Sequence, residues 1–364
     1  MPRAAAGARL KGEAMTRMTM TRRRALALGV GGALVVPFMS RGAAAQGKTV
    51  YVNSYGGVWE TSWKKAFFDP FTAQTGIAIK TVPGVVFAKL KAQVQTGNYE
   101  YDLVNLGDSE FAQAVHDGLV EKLDKQAAHA DQLPPSLLRD YSLVSYSLGT
   151  NIVYRKDKFP NGGPQSWADF WDVKKFPGPR CLFDRSFSCL AFALLADGVP
   201  KDKLYPMDID RAFRKMDEIK PHVKVWWRDG AQSQQLIRDG EVDMIAMWSA
   251  RAVDLIADKV PLELVWNGGE LYWSNLIVPK GDPNAKAAWQ FAGFVAQAKP
   301  QADFAMLLPY GPANPGARAL MPEARLRLTP AWPDNEKVMF QHDAAWLAPR
   351  LAQIRERWTQ WMTA

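Results

Sequence analysis

Apolar positions along this chain switch repeatedly between two spacings, and the switches fall at small polar residues. Thr49 to Asn53 alternates and predicts a short strand, Ser54-Tyr55-Gly56-Gly57 a tight loop, and Trp59, Trp63 and Phe67 then recur at the spacing of one helix face. Asp69-Pro70 reads as the N-cap and first residue of a further helix that Gly76 closes. Ile77 to Val82 predicts the next strand, Val85 to Thr96 a helix, and Tyr101 to Leu106 a strand that passes through Gly107-Asp108-Ser109 into a helix over Glu110 to Asp117. The same order recurs twice. Arg180 to Phe183 leads through Asp184-Arg185-Ser186 into an apolar helix over Phe187 to Ala196, and Val242 to Met247 leads through Trp248-Ser249-Ala250 into a helix over Arg251 to Asp258. A last helix begins at Asp343 and Trp346 and continues through Trp358 and Trp361. No repeat or low-complexity tract interrupts this α/β pattern.

Four strand-loop-helix junctions thus share small residues and one or two aromatic or charged ones. In open sheets ligands bind where such loops leave the carboxyl ends of strands, and the helix N-termini there offer free N–H groups. Two β-prone, charge-poor runs differ from these units: Tyr146 to Tyr154 and Leu271 to Pro279. They read as crossings between two lobes, which makes the lobes discontinuous and the crossings a hinge. The expected division is 46–146 plus 275–320 for one lobe and 147–274 plus 321–364 for the other, and about 319 residues outside the leader favour two domains over one.

The leader itself is legible in residues 1–45. Thr21-Arg22-Arg23-Arg24 precedes an apolar stretch through Phe38, and Ser40-Arg41-Gly42-Ala43-Ala44-Ala45 precedes Gln46. Basic, apolar and small residues in that order predict a signal peptide cleaved between Ala45 and Gln46. The arginine pair favours twin-arginine export over the general route, although that signal usually has Phe where Ala25 stands. About fourteen apolar residues are too few to span a bilayer comfortably, so no stable membrane insertion is expected after cleavage. The stretch before Met15 or Met20 reads as an overlong start.

Charge changes meaning once the leader is set aside. Of 45 Lys and Arg and 37 Asp and Glu, eight basic residues and one acid fall in residues 1–45, which reduces a net of +8 to +1 for the remainder. That gives no electrostatic footprint for nucleic acid or anionic membrane. Cys181 and Cys189, the two cysteines, exclude a Cys-rich zinc site and are compatible either with a disulfide or with buried thiols. His116, His129, His222 and His342 are dispersed, with no nucleophile motif beside them, which argues against an enzyme and against a zinc carrier. An exported iron carrier would want adjacent tyrosines, and no Tyr-Tyr pair occurs. No cofactor is expected: Gly29-Val30-Gly31-Gly32 lies in the leader and no acid follows a strand at the dinucleotide-binding spacing.

Glu241 to Trp248, then Leu264-Val265-Trp266, Gly268-Gly269, Tyr272-Trp273 and Leu276-Ile277-Val278-Pro279, follow an order that resembles the periplasmic spermidine/putrescine-binding proteins. Phe71-Thr72, Thr75-Gly76-Ile77, Tyr101-Asp102-Leu103-Val104, Ser166 to Trp171 and Pro309-Tyr310-Gly311-Pro312 extend the likeness over nearly the whole chain beyond the leader. The resemblance implies a type II periplasmic-binding-protein fold of two α/β lobes, each a mixed, mainly parallel sheet flanked by helices. It also implies a monomer that captures a small solute between the lobes and passes it to the permease and ATPase subunits of an ABC importer.

That family lines its cleft with aromatic walls and grips ammonium ends with carboxylates, a match to a long cation. By position the walls fall here on Tyr55, Trp248, Tyr272 and Tyr310. The carboxylates do not carry over. Arg185 and Ser188, beside Ser186, stand where two acids would be, and Ser274 stands at a third, with Asn275 one residue away. Asp108, beside Ser109, is the one acid left, and it reads equally as a helix cap. An uncompensated Arg185 would repel a diamine, whereas Arg185 and Arg251 together offer forked donors to a carboxylate or phosphonate. The expected solute therefore bears a negative group, zwitterions included, with a polyamine as the alternative. Against this, Arg251 could be a solvated helix-start residue or a partner of Asp254, and Arg185 could pair with Asp184 or Asp229. Trp59 and Trp63, four apart, read as core. One residue of the Trp226-Trp227 pair is expected to face the cleft.

Overall fold

The computed structural model describes residues 49–84 and 87–364. The expected leader, its cleavage point and the first two residues of the helix expected from Val85 lie outside the described residues.

Ten strands follow in chain order: β1 Thr49–Ser54, β2 Ala78–Pro83, β3 Val104–Gly107, β4 Leu138–Arg139, β5 Ser142–Arg155, β6 Arg180–Phe183, β7 Val223–Trp227, β8 Met244–Trp248, β9 Leu262–Ile277 and β10 Gly311–Pro312. β1 and β2 pair in parallel. The larger sheet runs β3-β9-β5-β8-β6-β7, with β4 and β10 also on β5. β6 pairs in parallel with β7 and β8, while every ladder made by β5 or β9 is antiparallel. The fold is the mixed two-lobed α/β type expected, but with fewer parallel pairs. The two runs read as crossings are the reason: Tyr146 to Tyr154 lies within β5, and Leu271 to Pro279 begins in β9 and passes its end, and these strands, 14 and 16 residues long, run side by side in opposite directions.

Burial follows from the pattern. β8 reads Met-Ile-Ala-Met-Trp and is buried at every position, as a strand covered on both faces must be. One apolar core gathers Val50, Trp59, Trp63 and Phe67 with Tyr146, Phe291, Phe304 and Tyr310. A second gathers Trp167, Phe187, Leu190 and Phe213 with Phe340, Leu351, Ile354 and Trp358. Trp59 and Trp63 are core, stacked at 4.5 Å. Trp227 is also fully buried, stacked on Phe183 at 4.0 Å, and Trp226 packs edge-on against Trp358 and Trp361 of the C-terminal helix.

Asp69 does not cap a new helix. The helix begun at Gly57 continues through a π turn at Lys64–Phe68 into Asp69–Thr75, and Gly76 closes it at φ 73°. The wider turn suits Pro70, which has no N–H to return to the preceding turn. Cys181 and Cys189 are separate buried thiols that donate to the carbonyls of Val225 (2.8 Å) and Phe183 (2.9 Å).

Candidate functional site

Each of the four expected junctions forms. β1 leads through Tyr55-Gly56 into the helix from Gly57, β3 enters the helix Asp108–His116, β6 the helix Ser186–Ala196, and β8 the helix Ser249–Ala257. A fifth was not anticipated. β7 ends at Trp227 and Arg228-Asp229 leads into the helix Gly230–Arg238, with Asp229 accepting from the N–H groups of Ala231 (2.8 Å) and Gln232 (3.2 Å). The Asp-Gly pair followed by a polar turn was the available signal.

Arg251 is 0% exposed, and its Nη1 donates to Gln234 Oε1 at 2.9 Å. Its Nε and Nη2 have no hydrogen-bond partner among the described residues. Neither alternative expected for it holds: it is not solvated, and Asp254 accepts from Gln234 at 3.2 Å instead. The guanidinium lies 5.5 Å from the ring of Trp248. On one side is Gly57, where a Cβ would stand 3.7 Å from Nη1, and on another Gly230, where a Cβ would stand 2.4 Å from Nε. A buried guanidinium with spare donors is costly unless an anion completes it.

Arg185 is the opposite case. It was expected uncompensated, or paired with Asp184 or Asp229; instead Nη2 donates to Glu110 Oε2 at 2.6 Å, and Nη1 lies 3.9 Å from Glu270. Asp184 is taken by Arg228 (2.7 Å) and the indole N–H of Trp358 (2.7 Å). The rings of Phe187 and Tyr272 stand 4.4 and 5.1 Å from the Arg185 guanidinium. Burial alone would lower its pKa, but Glu110 and Glu270 outweigh this and hold it above the ordinary value. Glu270, 0% exposed, accepts from Ser188 Oγ at 2.9 Å and contacts His342 Nε2 at 2.8 Å. Burial would raise its pKa, and His342, Arg185 and Ser188 together hold it below the usual carboxylate value. Sequence reading missed Glu110, Glu270 and His342; an acid between Gly268-Gly269 and the apolar Leu271-Tyr272-Trp273 was the sign of Glu270.

The remaining expected residues fall in three places. Tyr55 meets Trp59 and Trp248 edge-on and donates to the carbonyl of Asn105 at 2.9 Å, and burial pushes its hydroxyl up. Tyr310 lies parallel to Tyr146 at 5.0 Å, and burial pushes it up to about 12 despite the pull of Arg251. Burial also raises Tyr272, with Arg185 opposing and Tyr310 adding to the rise, so Tyr310 is in electrostatic reach of both Tyr272 and Arg251. Ser186 and Ser109 are buried at the starts of their helices. Asp108 is not a cap. Gly107 holds the N-cap position, and the Asp108 carboxylate accepts from Arg139 (3.0 Å), the Trp273 N–H (2.8 Å) and Asn275 (3.0 Å), which ties β9 in place. Ser274 donates to Asn105 Oδ1 in the same network.

Chemically, this arrangement sets a buried guanidinium with two spare donors beside Trp248, and at Arg185 a cluster of two carboxylates around one guanidinium. No group of three or more His, Cys, Asp or Glu positioned for a metal occurs among the described residues.

The chain is 33% identical over 332 residues to a gamma-aminobutyric acid-binding protein of Pseudomonas aeruginosa, covering 88% of this chain and 92% of that one. It is 24% identical over 314 residues to the spermidine/putrescine-binding periplasmic protein of Escherichia coli, covering 82% and 87%. Its fold matches AgtB of A. tumefaciens R10 in complex with agropinic acid, with a TM-score of 0.82, 32% identity and coverage of 87% and 99%. Residues 66–339 match the sequence profile of the bacterial extracellular solute-binding proteins, and the chain belongs to that family.

Proposed function

We propose that this protein captures a small zwitterionic organic acid, such as an ω-amino acid or an opine-like imino acid, for an ABC importer. One observation carries the reading: Arg251 is fully buried beside Trp248 and keeps two donors unpartnered among the described residues. A planar carboxylate matches that fork in both charge and geometry. The names of relatives that bind gamma-aminobutyric acid and agropinic acid support a carboxylate-bearing solute. Arg185 no longer argues against an amine, because Glu110 neutralises it. The two cores support lobes of 46–146 plus 275–320 and 147–274 plus 321–364. In this reading the chain is exported by the twin-arginine route, is cleaved after Ala45, works as a monomer in the periplasm and delivers its solute to permease and ATPase subunits. A thermal-unfolding screen of residues 46–364 tests the ligand class. At a hundred times its dissociation constant a true ligand adds about 2.7 kcal/mol of stability. Stabilisation by ω-amino acids or imino acids is expected; stabilisation by putrescine or spermidine alone overturns the reading.

A further inference from the structure

The Arg185 cluster holds two carboxylates against one guanidinium, and they differ in what they can do. Glu270 is 0% exposed, is anchored by Ser188 and His342, and approaches Arg185 only to 3.9 Å. Glu110 reaches Arg185 from another strand-helix junction at 2.6 Å, and the two side chains remain 20% and 14% exposed. Phe187 and Tyr272 cover the faces of the guanidinium, and a Cβ on Gly107 would stand 3.3 Å from its Nη2 and 3.2 Å from Glu110 Oε2, so backbone closes over the pair. The forked donors of Arg185 are therefore available to a solute only if Glu110 lets go.

We propose that Glu110 sets the charge pattern the cleft accepts: by occupying Arg185 it makes this end favour an ammonium group and turn away a second carboxylate. The inference rests on the reading that Arg251 grips one carboxylate. A second carboxylate entering here must either displace Glu110 from a charge-assisted bond or stand as a third negative group around one guanidinium where water is scarce. Without Glu110 the same guanidinium becomes a second anion fork.

Calorimetric titration of residues 46–364 with ω-amino acids of three to six carbons, and with the 2-amino dicarboxylates that add a carboxylate beside the ammonium, tests this. For 4-aminobutyrate the matching dicarboxylate is L-glutamate. The wild type is expected to prefer the monocarboxylates. Glu110→Gln and Glu110→Ala are expected to raise the dicarboxylate-to-monocarboxylate affinity ratio by about tenfold or more, a change of about 1.4 kcal/mol. Wild-type far-ultraviolet circular dichroism and a cooperative thermal transition show that the variants are folded. A ratio within about twofold of wild type in both variants, measured on the same scale, overturns the role of Glu110 alone. Arg251→Gln separates the two ideas: if it still binds monocarboxylates, or if the wild type binds no member of either series, the carboxylate reading fails and this inference with it.

Discussion

Arg251 places function and stability in opposition within one side chain. A buried charge without a counter-charge is destabilising until an anion arrives, so its removal should help the empty protein and harm the loaded one. Arg251→Met is expected to leave the melting temperature of the unliganded protein unchanged or higher while weakening carboxylate binding by about 2–5 kcal/mol, the usual cost of truncating one partner of a buried charge pair. Melting scans with and without solute, together with calorimetry, read both effects; a variant that unfolds more easily without solute would show that Arg251 is a structural residue. The sequence made both arginines visible as candidates because each follows a strand and a short polar loop. It hid their difference. Whether a guanidinium is spoken for depends on Glu110 and Glu270, 75 residues before and 85 residues after Arg185, and no local pattern records a pairing of that span.

Junctions were the most readable elements, since a change of apolar period marks each one. The fifth was missed because Trp226 and Trp227 drew attention as possible cleft walls, whereas the chemistry lies just beyond them in a residue with no side chain. Gly230 opens its helix where a Cβ would stand 2.4 Å from Nε and 2.6 Å from Cζ of Arg251. Contact that close forces the guanidinium to move. Gly230→Ala should therefore weaken solute binding by about tenfold or more, a loss of about 1.4 kcal/mol, while the far-ultraviolet circular dichroism stays as in wild type, because alanine is a better helix former than glycine. Unchanged affinity would mean that Arg251 has room to step aside and that its position is not what the solute reads. The misread at Asp69-Pro70 has a different origin. Proline ordinarily starts a helix, and only the π turn before it lets one continue.

At the scale of the whole molecule, the α/β architecture and two charge-poor β runs were legible, but not that the strands holding those runs pair as one ribbon. β5 and β9 are hydrogen-bonded along most of their length, from Leu143 with Leu276 to Arg155 with Leu262. The C-terminal segment touches elements far apart in sequence: Ala344–Leu347 packs beside the helix Asp108–His116, Arg355 donates to Gln113 at 2.8 Å, and Leu351, Ile354 and Trp358 enter the second core. The β5–β9 register slips twice, between Val144 and Ser147 and again between Thr150 and Ile152. A paired ribbon is stiff against sliding, since its bonds would have to break together, but a bulge locally loosens the ladder and increases its twist. We propose that the ribbon acts as a torsion bar with two soft points, so that opening the lobes winds it rather than shears it. Hydrogen exchange is expected to be faster at Ser145, Tyr146 and Asn151 than at Ser147 to Gly149, and to slow at those three when solute binds; uniform exchange along Leu143 to Tyr154 would place the motion elsewhere. In that reading a carboxylate gripped by Arg251 holds the lobes closed and keeps the ribbon from winding.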